Sequence, residues 1–139
     1  MTTILIAEDN AVNRELLREL LEMRGYSVIE ACDGQEALKK IAEAQPDILL
    51  LDLGMPVLDG FETVQKIREN PDMSSLPVLA VTAYAMRGDR EKVLRSGFDG
   101  YLSKPIDAGA LDRELKRLLN KDSANIVREN CVDIVSSDS

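Results

Sequence analysis

Ile48-Leu49-Leu50-Leu51-Asp52-Leu53-Gly54-Met55-Pro56 is the stretch that decides the fold. Four aliphatic residues run directly into a carboxylate, and a glycine and a proline follow. A continuous apolar run bounded by turn residues predicts a strand buried on both faces. Such a strand needs helices above and below it. A lone carboxylate cannot sit inside that core unpaired. Asp52 is therefore expected where the strand emerges, at the rim where ligands bind in α/β folds.

The chain on either side fits that frame. Thr3–Ala7 is a short apolar run, and Asn10 can cap a helix over 11–24. Leu16, Leu20 and Met23, with Leu17 and Leu21 beside them, recur at helical spacing, and Gly25 is a suitable stop. Tyr26–Ala31 is mixed and predicts a less buried strand. Asp33-Gly34-Gln35-Glu36 resembles a capping box and opens a helix that ends before Pro46. After the strand at 47–52, Asp59 can cap a helix to about residue 69, with Phe61, Val64 and Ile67 as its stripe. Pro77–Val81 predicts a fourth strand ending at Thr82, followed by a polar helix over about 86–96. A short fifth strand around 100–102 leads to Ser103-Lys104-Pro105. Asp107 then caps a last helix with Leu111, Leu115, Leu118 and Leu119 on one face.

Strict βα alternation implies a parallel sheet with helices on both faces and right-handed crossovers. The expectation is an α/β, flavodoxin-like, doubly wound (βα)5 fold with strand order 2-1-3-4-5. The domain is expected to cover 1–120. Residues 121–139 read as a flexible tail, or a short docked helix, and are too few for a DNA-binding domain.

Composition narrows the function. A net charge of -8 argues against nonspecific binding to DNA, RNA or anionic lipid. No basic leader segment and no apolar run long enough for a bilayer is present, so a cytoplasmic protein is expected. Two cysteines, Cys32 and Cys131, make neither a disulfide framework nor a zinc site. Cys32 is expected to be a small packed residue and Cys131 an exposed thiol. The chain has 0 histidines, which excludes His-based triads and His-ligated metals. It also excludes a phosphohistidine donor. In phosphorelay chemistry this chain can only be the carboxylate side.

The chemistry-bearing residues all fall at the C-terminal ends of predicted strands. Glu8 and Asp9 follow the first, Asp52 ends the third, Thr82 ends the fourth and Lys104 follows the fifth. A parallel sheet places those ends along one rim. Three crowded carboxylates repel and need a cation. Lys104 supplies one charge, and Mg²⁺, with Mn²⁺ as a substitute, fits an all-oxygen ligand set. Asp9 and Asp52 are expected to ligate it directly, Glu8 directly or through water, and the Gly54 carbonyl to assist. Asp52 is then the nucleophile that accepts a phosphoryl group. Lys104 and the Thr82 hydroxyl would hold the phosphoryl oxygens, with backbone N–H groups near Leu53–Gly54 and of Ala83 completing the cradle.

These motifs, Glu8-Asp9, Asp52-Leu53-Gly54-Met55-Pro56 with Asp59-Gly60, Thr82-Ala83 and Lys104-Pro105, resemble the response-regulator receiver domain of two-component signalling. The resemblance covers residues 3 to about 119. It implies a cis Lys104–Pro105 peptide, and a switch in which Thr82 moves toward the phosphoryl group as Tyr101 turns inward. The changed surface would be the helix over 86–96, the fifth strand and the last helix, presented to an unidentified protein target. That helix has few apolar anchors and an internal Gly88, so it should be the least firmly held. The resemblance also implies that the side chains at Gly54 and Tyr84 flank the water path to the phosphate. A missing and a bulky group there predict slow self-dephosphorylation and no other enzymatic activity. The phosphoryl donor would be a histidine kinase or histidine phosphotransfer protein docking on Val12, Asn13, Arg14 and Leu17. Thr82–Asp89 is similar to stand-alone and hybrid-kinase receivers. A monomer or a weak phosphorylation-linked dimer is expected.

Two other readings fit less well. A haloacid-dehalogenase-type phosphatase expects an acid two residues after the nucleophile, where Gly54 stands. An ATP-binding enzyme lacks its G-x-x-x-x-G-K-[ST] loop. A phosphate-independent scaffold would have no use for the full set of rim residues.

Overall fold

The computed structural model describes residues 2–55, 58–82 and 89–130, with side chains described within 2–55, 58–82 and 91–119. Strands and helices alternate as β1 (Thr3–Ala7), α1 (Ala11–Met23), β2 (Ser27–Ala31), α2 (Gly34–Ala44), β3 (Ile48–Asp52), α3 (Gly60–Glu69), β4 (Val78–Thr82), α4 (Asp89–Arg95), β5 (Gly100–Ser103) and α5 (Ala108–Asn130). The sheet is parallel throughout, in the order β2-β1-β3-β4-β5. This is the expected flavodoxin-like arrangement. Hydropathy explains the order: β3 and β4 are buried at every position, whereas β2 and β5 are only partly covered. The continuous apolar runs took the centre and the mixed ones took the edges.

Side chains alternate across the sheet and build two cores. Leu5, Leu49, Leu51 and Ala80 pack with Ala37 and Ile41 of α2 and Val64 and Ile67 of α3. Ile4, Ile6, Ile48, Leu50, Leu79 and Val81 pack with Leu17 and Leu21 of α1 and Leu111, Leu115 and Leu118 of α5. Each fully buried leucine contributes roughly 2 kcal/mol from burial.

The helix starts follow their caps. The side chains of Asn10, Asp33, Asp59 and Asp107 accept from the N–H groups of Asn13, Glu36, Glu62 and Ala110. Asp59 and Glu62 form a complete capping box. At α2 the return arm differs from expectation, because the Glu36 carboxylate accepts from the Cys32 N–H at 2.6 Å, one residue before the cap.

Several expectations are corrected. In α1 the buried stripe is Leu17 and Leu21, while Leu16 is 55% and Met23 81% exposed. With five apolar residues among positions 16–23, two stripes compete, and the α5 leucines select the one that faces them. Cys32 is exposed, since it follows the last paired residue of the edge strand β2. Cys131 lies outside the described residues. The described part of α4 is Asp89–Arg95, with Val93 buried and Leu94 39% exposed; 83–88, including Gly88, lie outside the described residues. The backbone of α5 runs to Asn130.

At the end of the sheet opposite the acidic rim, Arg68 of α3 ties three segments together. Its guanidinium donates to the carbonyls of Ser74, Leu76 and Gly97 and pairs with the Asp99 carboxylate at 2.9 Å. Asp99 in turn accepts from the Val78 N–H, fixing the starts of β4 and β5.

Candidate functional site

The parallel register delivers the rim residues together. β1 ends at Ala7, so Glu8 and Asp9 lie just beyond the sheet. Asp52 pairs with Val81 and Thr82 with Ser103, so one step beyond β5 brings Lys104 beside both. The Lys104 N–H donates to the Thr82 carbonyl at 2.7 Å, fixing the lysine backbone. The Lys104–Pro105 peptide is cis.

Lys104 Nζ sits between two carboxylates, 2.5 Å from Glu8 Oε1 and 3.3 Å from Asp52 Oδ2. Glu8 Oε2 accepts from the Asn10 N–H and Asp52 Oδ1 from the Gly54 N–H, each at 3.1 Å. One carboxylate oxygen from each of Glu8, Asp9 and Asp52 lies within 4.8 Å of the others. Glu8 is only 1% exposed, Asp52 is nearly buried and Asp9 is open to solvent. Among the described residues, two of the three carboxylates thus pair with the Lys104 ammonium.

The electrostatics show that imbalance. Burial, aided by the neighbouring Asp52, pushes the Glu8 carboxyl above its usual range, although Lys104 pulls the other way. Burial alone would lower the Lys104 ammonium, but Glu8 and Asp52 outweigh it and hold it above its ordinary value. Lys104 is therefore charged, and the carboxylates remain under-neutralised.

The donor set fits a hard divalent cation: oxygen only, acidic, and open on the Asp9 side. Both oxygens of Glu8 and both of Asp52 already have a partner, whereas Asp9 is open to solvent. Thr82 is fully buried at the end of β4. Tyr101 is half-buried against the α2/α3-side core. Gly54 is exposed beside Asp52, whereas Ala83, Tyr84 and Pro56 lie outside the described residues.

The four residues expected to meet the donor do not share one surface. Val12 is 65% exposed and Asn13 lines a groove of about 360 Å³ formed with Leu16, Leu20, Met23, Pro105 and Ile106. Leu17 lines this groove too, but it packs into the core and is 4% exposed, while Leu16 beside it is open. Arg14 turns to partners within the protein. Its side chain is 17% exposed and bonds to Glu30 and to the Glu8 carbonyl. A sequence signal existed for this. A cation near a helix N-terminus opposes the helix dipole and needs a local partner.

The comparisons agree with this geometry. The family model described as "Response regulator receiver domain" matches residues 4–116. Among curated relatives, the polar-differentiation response regulator DivK of Brucella anthropi is 37% identical over 117 residues, covering 84% of this chain and 95% of the relative. The receiver domain of sensor histidine kinase PA1611 from Pseudomonas aeruginosa, solved with a magnesium ion coordinated in its active-site cleft, is 36% identical with a TM-score of 0.79. That match covers 86% of this chain and 98% of that one. The chemotaxis protein CheY4 of Vibrio cholerae is 32% identical with a TM-score of 0.79, covering 86% and 99%. Receiver domains are generally signalling rather than enzymatic domains, partnered by histidine kinases or phosphotransfer proteins. No described helix is long and apolar enough to cross a membrane. On the strength of a family match that spans most of its length and of relatives that share its fold, the chain belongs to the response-regulator receiver domains of two-component signalling.

Proposed function

We propose that the chain is the phosphoacceptor of a two-component or phosphorelay system, with Asp52 receiving a phosphoryl group from a partner's phosphohistidine. The observation that carries this reading is Lys104 Nζ held between Glu8 and Asp52 at a rim with three converging carboxylates. Asp52 attacks phosphorus, a P–O bond forms, the P–N bond breaks, and the imidazole leaves with the electron pair. Lys104 turns from its carboxylate partners to the phosphoryl oxygens, and the Thr82 hydroxyl and the Ala83 N–H donate to them. Asp9 and Asp52, with the Gly54 carbonyl, would hold Mg²⁺ or Mn²⁺, and Glu8 would act through a water. Bound there, the ion supplies the positive charge that Lys104 alone does not.

Incubation with Mg²⁺ and a small phosphodonor is expected to add one phosphoryl group to the parent, visible by intact mass, and none to Asp52→Asn. Equal labelling of the variant would refute the assignment. The label should be lost slowly from the isolated protein, because Gly54 has no side chain to position a water and a tyrosine at position 84 would be bulky enough to obstruct one. The domain would catalyse no more than its own phosphorylation and this slow reset.

Thr82 and Tyr101 would pass the change to α4, β5 and α5, the surface offered to a downstream protein. α4 suits this role, because among its described side chains Val93 alone is buried, and a lightly anchored helix is easily displaced. Amide exchange with and without a phosphoryl mimic should differ along these three elements. Unchanged protection there, with the mimic bound, would remove them from the mechanism.

The donor would dock on the exposed side of α1 and the neighbouring Pro105–Ile106 turn. Leu16→Asp is expected to slow transfer from the cognate phosphohistidine protein at least about tenfold, by charging an apolar contact at the interface centre. Uptake from a small phosphodonor should be unaltered. Intact transfer in Leu16→Asp would move the docking surface elsewhere. The remaining expectations are a cytoplasmic location, a monomer or weak phosphorylation-linked dimer, and a domain over 1–120 with a separate segment at 121–139.

A further inference from the structure

Arg14 does not line the groove beside α1; its Nε and Nη1 donate within the protein. Nε donates to Glu30 Oε1 at 3.0 Å, and Nη1 donates to the Glu8 carbonyl at 2.7 Å and approaches the Asp9 carbonyl at 3.5 Å. Glu30 is itself held in place. It pairs with Arg18, its carbonyl accepts from Lys40 Nζ at 2.7 Å, and in the β1–β2 ladder it stands opposite Ile6. The anchor and the acidic turn therefore belong to the same strand pair. The Glu8 N–H donates to the Ala31 carbonyl at 3.1 Å. Both backbone polar groups of Glu8 are thus fixed, one by β2 and the other by Arg14.

We infer that Arg14 is a positioning residue for the metal site, bridging Glu30 to the Glu8 carbonyl and so fixing the backbone from which the Glu8 and Asp9 carboxylates project. This rests on reading the rim as a Mg²⁺-dependent phosphoacceptor site. The planar guanidinium is what the bridge requires. It presents donors in a rigid fork and reaches two acceptors at once, which a lysine ammonium does not reproduce. Its charge is permanent and lies on the backbone side of the acidic turn. Lys104, on the carboxylate side, remains available for the phosphoryl group. A partner behind a ligand-bearing segment governs affinity without touching the ion.

The test is calorimetric titration of Mg²⁺ into the parent, Arg14→Met, Arg14→Lys and Glu30→Gln, below the unfolding transition of each. Arg14→Met keeps the aliphatic stem and should bind Mg²⁺ about 10–100-fold more weakly. Arg14→Lys should recover little of the loss, and Glu30→Gln should show a smaller loss in the same direction. Unchanged affinity in Arg14→Met overturns the inference. Full affinity in Arg14→Lys also overturns it, because charge alone would then suffice. Should Arg14→Met fail to fold, unchanged affinity in Glu30→Gln decides against it. Failure of the parent itself to bind Mg²⁺ would overturn the phosphoacceptor reading instead.

Discussion

Lys104→Ala should take up phosphate from a small phosphodonor about 10²–10³-fold more slowly than the parent, the usual cost of deleting one preorganised group that meets transition-state charge. Lys104 contacts both Glu8 and Asp52, so its removal strips the single described cation from the rim. Breaking a buried pair from one side costs about 3 kcal/mol because the other charge is left behind. Here the cost depends on pH. The Glu8 carboxyl in the folded protein lies above the ordinary 4.5. A raised acid favours the folded state while protonated, and that contribution is lost as pH rises through its folded value. The stability gap between variant and parent should therefore be smallest where Glu8 is protonated in both, and widen as pH rises through the raised folded value of that carboxyl, because only the ionised form misses Lys104. Denaturant unfolding across that range, beside mass-spectrometric labelling, checks both parts. A variant labelled within a few-fold of the parent would show that Lys104 does not stabilise the transferred group.

Gly60→Ala is the second large effect expected, and it works through the backbone. A Cβ at Gly60 would stand 2.7 Å from Leu53 Cα and 2.9 Å from the Asp52 carbonyl oxygen. Neither atom can rotate away. The Gly60 N–H also donates to the Leu53 carbonyl, and the Asp59–Glu62 box fixes the start of α3. The strain must therefore be relieved by the peptide that carries Asp52, the proposed phosphoacceptor. Overpacking of this kind costs about 1–3 kcal/mol. A displacement of order 1 Å at a reacting carboxylate can cost about 10²-fold in rate. Gly25→Ala is the control. Gly25 has φ +88°, but no atom lies within 4 Å of the place its new methyl would take, so it should lose stability alone. Equal labelling rates for Gly60→Ala and the parent would show that the segment tolerates the push.

Most of the site was legible because the sheet does the assembling. Once Ile48–Leu51 is a central strand, Glu8, Asp9, Asp52, Thr82 and Lys104 are placed on one rim by strand order alone. Caps were legible for a similar reason, since Asn10, Asp33, Asp59 and Asp107 act within three residues of themselves. What sequence could not give was the choice between equivalent local options. Leu17 rather than Leu16 faces inward because α5 lies on that side, which is a tertiary fact. Arg14 reads as a surface charge until β2 brings Glu30 to it from 16 residues away. Arg68 is likewise one arginine among several until Asp99 arrives beside it.

The contact between Glu8 and Lys104 joins residues 96 positions apart. In terms of synthesis, the acidic half of the site leaves the ribosome long before its cation does. A nascent chain that ends short of residue 104 carries the aspartate but neither Lys104 nor the β5 edge that holds it. On the function proposed above, competence to accept a phosphoryl group would therefore arrive only once residue 104 has been made.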